Sequence, residues 1–333
     1  MAKGHRPRRG SRAYWPRKRA RSIVARVRRW PVTDEVRLLG FAGYKVGMLH
    51  IVGVEMQKSS PFYGQERVYA ATVLEVPPLR VVGVRLYGRT PYGLKALGEV
   101  WAKEIPEDLE RVFTTPKESK SFEEQLKKVE GLKPKVEHVR VIVATQPRLT
   151  GIGKKKPEVF EIAVGGPGPK ALEYALSLLG KKVSVSEVFK EGDYCDVITV
   201  TRGKGLQGVV KRYGVAQMPR WHKHRKGHRR IGSVGPKKPA VMFYTPFAGQ
   251  TGFHQRTEYN KPILKIGDIA RENINPPGGW PHYGLIRSTY VVIKGSIPGP
   301  PKRLVKLRLP VRLLKKAEVP KVVYISTQPW PPR

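Results

Sequence analysis

The chain has 333 residues, with 64 Lys and Arg against 26 Asp and Glu, a formal net charge of +38, yet 40% of it is hydrophobic. That balance argues against a disordered polycation and for a folded body with a surface for an anionic partner, nucleic acid above all. No apolar run approaches the roughly 20 residues that span a bilayer, and the only cysteine, Cys195, excludes an internal disulfide and a cysteine-based zinc site.

Residues 1–31 carry twelve Lys or Arg and no acid. No hydrophobic signal region follows this basic start, and an intracellular protein is expected. Mitochondrial transit peptides share the bias, but Pro7, Gly10, Pro16 and Pro31 break any long amphipathic helix. Residues 1–34 therefore read as a basic arm that orders on RNA, with Arg6, Arg8, Arg9, Arg12, Arg17, Lys18 and Arg19 as its candidate contacts.

The pattern changes at Val36. Segments Val36–Ala42, Lys45–Val54, Val68–Val76 and Val81–Tyr87 are short, rich in Val, Leu, Ile and Tyr, and bounded by turn residues. Closely spaced strands of this kind suit a small antiparallel barrel or sandwich, the barrel preferred, over residues 35–93 and 181–310. From Leu94 to Gly180 the period becomes helical. Ser121 and Glu124 have capping-box spacing, Phe122, Leu126 and Val129 mark one face, and a second helix opens at Pro169 and stops at Gly180. With strands His138–Thr145 and Val159–Val164 between the helices, residues 94–180 form an α+β insertion, giving a mainly β fold class overall.

Strand character returns at Asp196–Thr201 and leads into a basic stretch. Residues 200–261 hold fourteen Lys or Arg, four His and one acid, Glu258. A run with Gly or Pro every few residues and no apolar period in its middle needs a partner to order against. It reads as a finger, residues 202–260, inserted into folded RNA. Phosphate contacts fall to Arg202, Lys204, Lys211, Arg212, Arg220, Lys223, Arg225, Lys226, Arg229, Arg230, Lys237, Lys238 and Arg256. His222, His224, His228, His254 and Gln250 complete the candidate RNA-binding set. Trp221, with Tyr213, Phe243, Tyr244, Phe247 and Phe253, offers planes for unpaired bases.

Strands Ile263–Ile266, Thr289–Lys294 and Leu304–Leu309 follow, so the finger is an excursion between strands of one core. Residues 311–333 supply a last strand, Val322–Ser326, and a tail. Asparagine occurs only at 260, 273 and 275, which leans toward a heat-adapted source.

Other chemistries fit less well. His222, His224 and His228 could approach one metal ion, but six Lys or Arg in residues 220–230 repel it and no carboxylate or thiol joins the set. Neither Gly203-Lys204-Gly205 nor Gly151-Ile152-Gly153-Lys154 matches a phosphate-binding loop. Asp193 and Asp196 look like strand-edge residues. A Cys195 nucleophile paired with His254 would make an RNA-processing enzyme, and affinity for duplex DNA would mark an architectural DNA binder. No catalytic constellation is present, and no cofactor or small-molecule substrate is expected.

HRPRRGS (5–11), PRKRA (16–20), LLGFAGYKVGM (38–48), VTRGKGLQGVVKR (200–212), HRKGHRRIG (224–232) and GQTGFHQRTEYNK (249–261) extend in order over most of the chain. In these segments it resembles the universal large-subunit ribosomal protein L3 family, in its archaeal form. The resemblance implies a six-stranded Greek-key β-barrel of the translation-protein type, an inserted α+β domain, and an arm and finger that penetrate rRNA. It further implies 23S rRNA and neighbouring large-subunit proteins as partners in the cytoplasmic ribosome. Binding would lie near the rRNA 3′ end, early in assembly, with the finger directed toward the peptidyl-transferase centre. Magnesium or other ions would be held mainly by the RNA. Relatives often carry Gly-Pro-Trp-x-Pro at the finger tip; this chain has Gly235-Pro236-Lys237-Lys238-Pro239, which exchanges an aromatic plane for phosphate-seeking charge.

Overall fold

A computed structural model of the protein describes residues 8–12, 14–114, 122–221, 224–313 and 318–328. The chain divides into two compact units, residues 24–199 with 256–333, and residues 1–23 with 200–255.

In chain order the elements are β1 (Gly40–Val54), β2 (Glu66–Glu75), β3 (Leu79–Thr90), β4 (Gly93–Trp101), α1 (Phe122–Leu132), β5 (His138–Ala144), β6 (Val159–Ala163), α2 (Gly168–Ser177), β7 (Lys182–Val183) and β8 (Tyr194–Val200). There follow β9 (Leu206–Gln207), α3 (Val209–Tyr213) and β10 (Gly249–Gln250), then β11 (Gln255–Asp268), β12 (Thr289–Lys294), β13 (Leu304–Arg308) and β14 (Lys321–Ile325).

The larger unit is mainly β and contains two sheets. One runs β13-β8-β11-β12-β2-β1-β14, and β13 also pairs with β1. The length of β1 permits this double use of one edge: Gly40–Tyr44 face Arg308–Leu304, and Ile51–Val54 face Ile325–Lys321. The second sheet runs β4-β3-β5-β6, with β7 on β3, and α1 lies along β4 while α2 lies along β5. Apolar side chains from both sheets, including Phe41, Tyr44, Val73, Val81, Val141, Ile162 and Val292, join one buried cluster. Each such side chain contributes roughly 1.5–3 kcal/mol on burial.

Two expected boundaries differ. The strands anticipated over Val36–Ala42 and Lys45–Val54 are one strand, because Gly43 is not a turn. A Cβ there would lie 2.7 Å from the Glu75 carbonyl and 2.4 Å from a Val76 methyl, so glycine permits close strand approach instead. The helical reading from Leu94 is also wrong at its start. Leu94–Trp101 is strand, since pairing with β3 from Thr90↔Gly93 to Gly83↔Trp101 overrides the helix propensity of Leu, Lys and Ala. α1 and α2 lie where the helical period places them. Ser121 of the expected capping box lies outside the described residues.

Asp196, expected at a strand edge, is fully buried. Its Oδ2 meets Arg308 Nη2 at 2.5 Å and accepts the Val311 N–H at 3.2 Å, while Oδ1 accepts the Asn260 N–H at 3.0 Å. Arg308 also donates to the Arg29 carbonyl. One paired charge thus ties β8, β11, β13 and residue 29 together, and every bond to it replaces hydration lost on burial. Asp193 accepts the Lys190 N–H at 3.0 Å and closes a turn.

Candidate nucleic-acid interface

The smaller unit contains nine Lys or Arg in residues 1–23 and twelve in residues 200–255, and neither segment contains an Asp or Glu. Its finger begins as an antiparallel stem. Thr201 N–H donates to the His254 carbonyl at 2.9 Å, Lys204 N–H to Thr251 at 2.9 Å, and β9 pairs with β10 through Leu206↔Gln250 and Gln207↔Gly249. Gly252 turns the stem with φ +71°, and a Cβ there would fall 2.0 Å from the Arg202 carbonyl; no other residue fits. Beyond the stem, α3 is closed by Gly214 in the left-handed conformation, φ +70°. Little regular structure follows until β10.

The arm lies along this finger. Gly10 N–H donates to the Tyr213 carbonyl at 3.0 Å and Ala20 N–H to the Phe253 carbonyl at 2.7 Å. His254 Nδ1 is 2.7 Å from the Lys18 carbonyl; a carbonyl only accepts, so this nitrogen carries the proton. The guanidinium of Arg17 sits 4.2 Å, and that of Arg212 5.2 Å, from the Tyr213 ring centroid. Arg19 covers Phe253 at 5.8 Å, and Trp15 meets Phe243 edge-on at 6.0 Å. Sequence reading provides each segment only with an external partner, whereas here each supplies contacts to the other.

The candidate residues divide by exposure. Arg8, Arg9, Arg12, Lys18, Arg19, Arg202, Lys204, Lys211, Arg220, Trp221, His224, Arg225, Lys226, Arg229, Arg230, Lys237, Lys238 and Arg256 are exposed. Arg17, Arg212, His228 and Gln250 are half-buried, and His254 is buried. Internal bonds engage several of these: Arg212 donates to the Gln250 and Phe247 carbonyls at 3.0 and 2.8 Å, and Gln250 to the Gly252 carbonyl at 3.0 Å. Arg6, His222 and Lys223 lie outside the described residues, as does part of the histidine set weighed for a metal. Among the described residues no group of three or more His, Cys, Asp or Glu could hold a metal ion, and no helix is long and apolar enough to cross a membrane.

Two aromatics expected to stack on bases are spent internally. Tyr213 is only 6% exposed, and Phe253 lies half-buried under Arg19. Trp221, 87% exposed, and Phe243, 68% exposed, keep open faces. Sequence reading also missed Tyr14 and Met242. With Arg8, Arg12 and Tyr244 they line a cavity of about 920 Å³, formed by segments more than two hundred residues apart and so without a local signature. Cys195 is fully buried within β8, and burial pushes its thiol pKa up. It is no nucleophile.

Similarity to known proteins agrees with this basic, acid-free geometry. The family model of ribosomal protein L3 matches residues 1–328. The chain belongs to the ribosomal protein L3 family. A large ribosomal subunit protein uL3 of Pyrobaculum calidifontis is 57% identical over 333 residues, 97% of this chain and 98% of the relative. The uL3 proteins of Archaeoglobus fulgidus and Methanothermobacter thermautotrophicus are 50% and 51% identical, each over 98% of both chains. As an L3-family member the chain is a structural constituent of the large ribosomal subunit, part of the ribonucleoprotein of translation, and not an enzyme.

Proposed function

We propose that the smaller unit is an rRNA-binding module, through which the protein holds large-subunit (23S) rRNA near its 3′ end from an early stage of assembly. The observation that carries this reading is charge segregation: nine and twelve cations on two segments that contain no acid. Such a surface repels itself until phosphates neutralise it and release their counterions. The exposed Lys and Arg meet phosphates, glycines admit close backbone approach, and Trp221 and Phe243 stack on unpaired bases. The finger, residues 202–260, extends toward the peptidyl-transferase centre, where Lys237 and Lys238 meet phosphate in place of an aromatic tip.

In this reading residues 1–34 are the arm and residues 94–180 an insertion. Residues 35–93 and 181–310 form the six-stranded Greek-key barrel, a reading supported by the pairing of β13 with both β8 and β1. Residues 311–333 add a strand and tail. Partners are 23S rRNA and neighbouring large-subunit proteins in the cytoplasmic ribosome, with no membrane and no small-molecule substrate. Magnesium or other ions belong chiefly to the RNA.

A salt titration of binding to large-subunit rRNA tests the module. Contact with six to ten phosphates lowers affinity by about 10³ to 10⁵ between roughly 50 and 200 mM salt. A flat titration refutes it. Equal affinity for duplex DNA would support a DNA architectural role instead.

A further inference from the structure

The cavity of about 920 Å³ lies within the smaller unit, with Arg8, Arg12 and Tyr14 from the arm on its walls and Ser233, Met242 and Tyr244 from the finger. We infer that it is a pocket for one unpaired nucleotide extruded from an RNA strand, its base held by the aromatic and thioether walls and its phosphate by the arginines. The inference rests on the rRNA-binding reading for RNA as the source of the nucleotide. It adds a place where a base is enclosed, which neutralisation of phosphates does not require.

Three observations select this occupant. The first is that the walls are open to a ligand: Tyr14 is 66% exposed and Tyr244 46%, whereas Arg17 lies on Tyr213 and Arg19 on Phe253. Among the described residues no ring or guanidinium covers Tyr14, and Tyr244 meets Phe243 nearly perpendicular at 5.7 Å. The second is size. Sites for small molecules run from roughly 300 to 1,000 Å³, so base, sugar and phosphate fit together here. The third is the mixture of chemistries, since aromatic rings beside guanidinium groups suit a ligand with a π-face at one end and an anion at the other. An acidic peptide would leave the rings without a role, and paired RNA keeps its bases stacked and offers mainly its backbone. Ser233 Oγ accepts the Gly235 N–H at 3.3 Å and keeps its own proton to donate to a base edge.

Neither segment makes the pocket alone. The Gly10 N–H to Tyr213 carbonyl bond at 3.0 Å and the edge-on contact of Trp15 with Phe243 at 6.0 Å hold the arm on the finger. A nucleotide bound between them would fasten the same two segments further.

The test uses the full chain and a hairpin RNA with one bulged 2-aminopurine nucleotide. Its comparison is the same hairpin with an abasic bulge, which keeps every phosphate and removes only the base. The expected result is tighter binding of the base-bearing hairpin by roughly 5- to 150-fold, the value of one base on an aromatic face, with quenched aminopurine fluorescence. Tyr14→Ala and Met242→Ala, both at exposed residues, should each diminish the ratio and the quenching with Tm unchanged. Trp221→Ala, outside the cavity, should preserve the ratio. Equal affinity for the two hairpins overturns the inference, and so does a ratio that survives both lining variants. Free AMP in excess that restores the fluorescence upholds the pocket and shows that a lone nucleotide suffices; AMP without effect beside a variant-sensitive ratio upholds it for a nucleotide within a strand. If wild-type protein binds both hairpins without salt dependence, the phosphate-based reading fails, while the ratio between hairpins still judges the pocket.

Discussion

Lys306 shows how far a single residue departs from what its type suggests. It lies in β13, only 5% exposed, with its ammonium 4.1 Å from the Phe160 ring. Burial lowers its pKa from 10.5 to about 7. A folded-state pKa below the unfolded value means that the unfolded chain binds more protons between those limits. Stability at this position therefore rises with pH from about 7 to about 10.5, and the penalty for the charge is full below that window. Replacing Lys306 by Met should stabilise the protein at neutral pH by about 1–4 kcal/mol and flatten its pH dependence across the window. Chemical denaturation at a series of pH values measures both; a variant with the wild-type slope contradicts the assignment. Nothing in the alternation of β13 distinguishes Lys306 from an outward lysine. Asp196 is the same lesson with opposite sign: in sequence it flanks an apolar run like any edge residue, and only the fold brings Arg308 to it.

At the scale of elements, legibility follows local signal. β12 is legible residue for residue because Thr289–Lys294 is a β-branched run between turn residues, and α2 because Gly166, φ +87°, and Gly180, φ +78°, bracket one apolar face. β4 was not legible, since its residues favour helix and its strand state depends on β3. The continuity of β1 through Gly43 depends likewise on a neighbour, β2. In residues 200–255 charge and composition are legible in the sequence, but which aromatics remain free is not. Tyr213 and Trp221 read alike in sequence, yet one is sealed by two arginines and the other is 87% exposed. That difference predicts that Trp221→Ala weakens rRNA binding by about 1–3 kcal/mol, the value of one stacked base, while leaving Tm unchanged. An unaltered affinity measured beside wild type would remove Trp221 from the interface.

At the scale of the molecule, the chain separates its tasks by charge. The larger unit carries all 26 acids, and several of them are spent internally, as in the Arg85 pairs with Glu99 and Glu161. The smaller unit carries none, so its cations have no acid within their own unit to pair with. This division was legible from composition alone, because acids are missing from two stretches and present elsewhere. The mutual packing of those stretches was not, because Gly10 and Tyr213, or Lys18 and His254, share no local pattern. The measurement that tests the account most directly is ultraviolet crosslinking of intact large subunits, with crosslinked peptides of this protein mapped by mass spectrometry. The account predicts that RNA crosslinks concentrate in residues 8–23 and 200–255, with Trp221 and Phe243 among them. Crosslinks confined to residues 24–199 and 256–333 would contradict it.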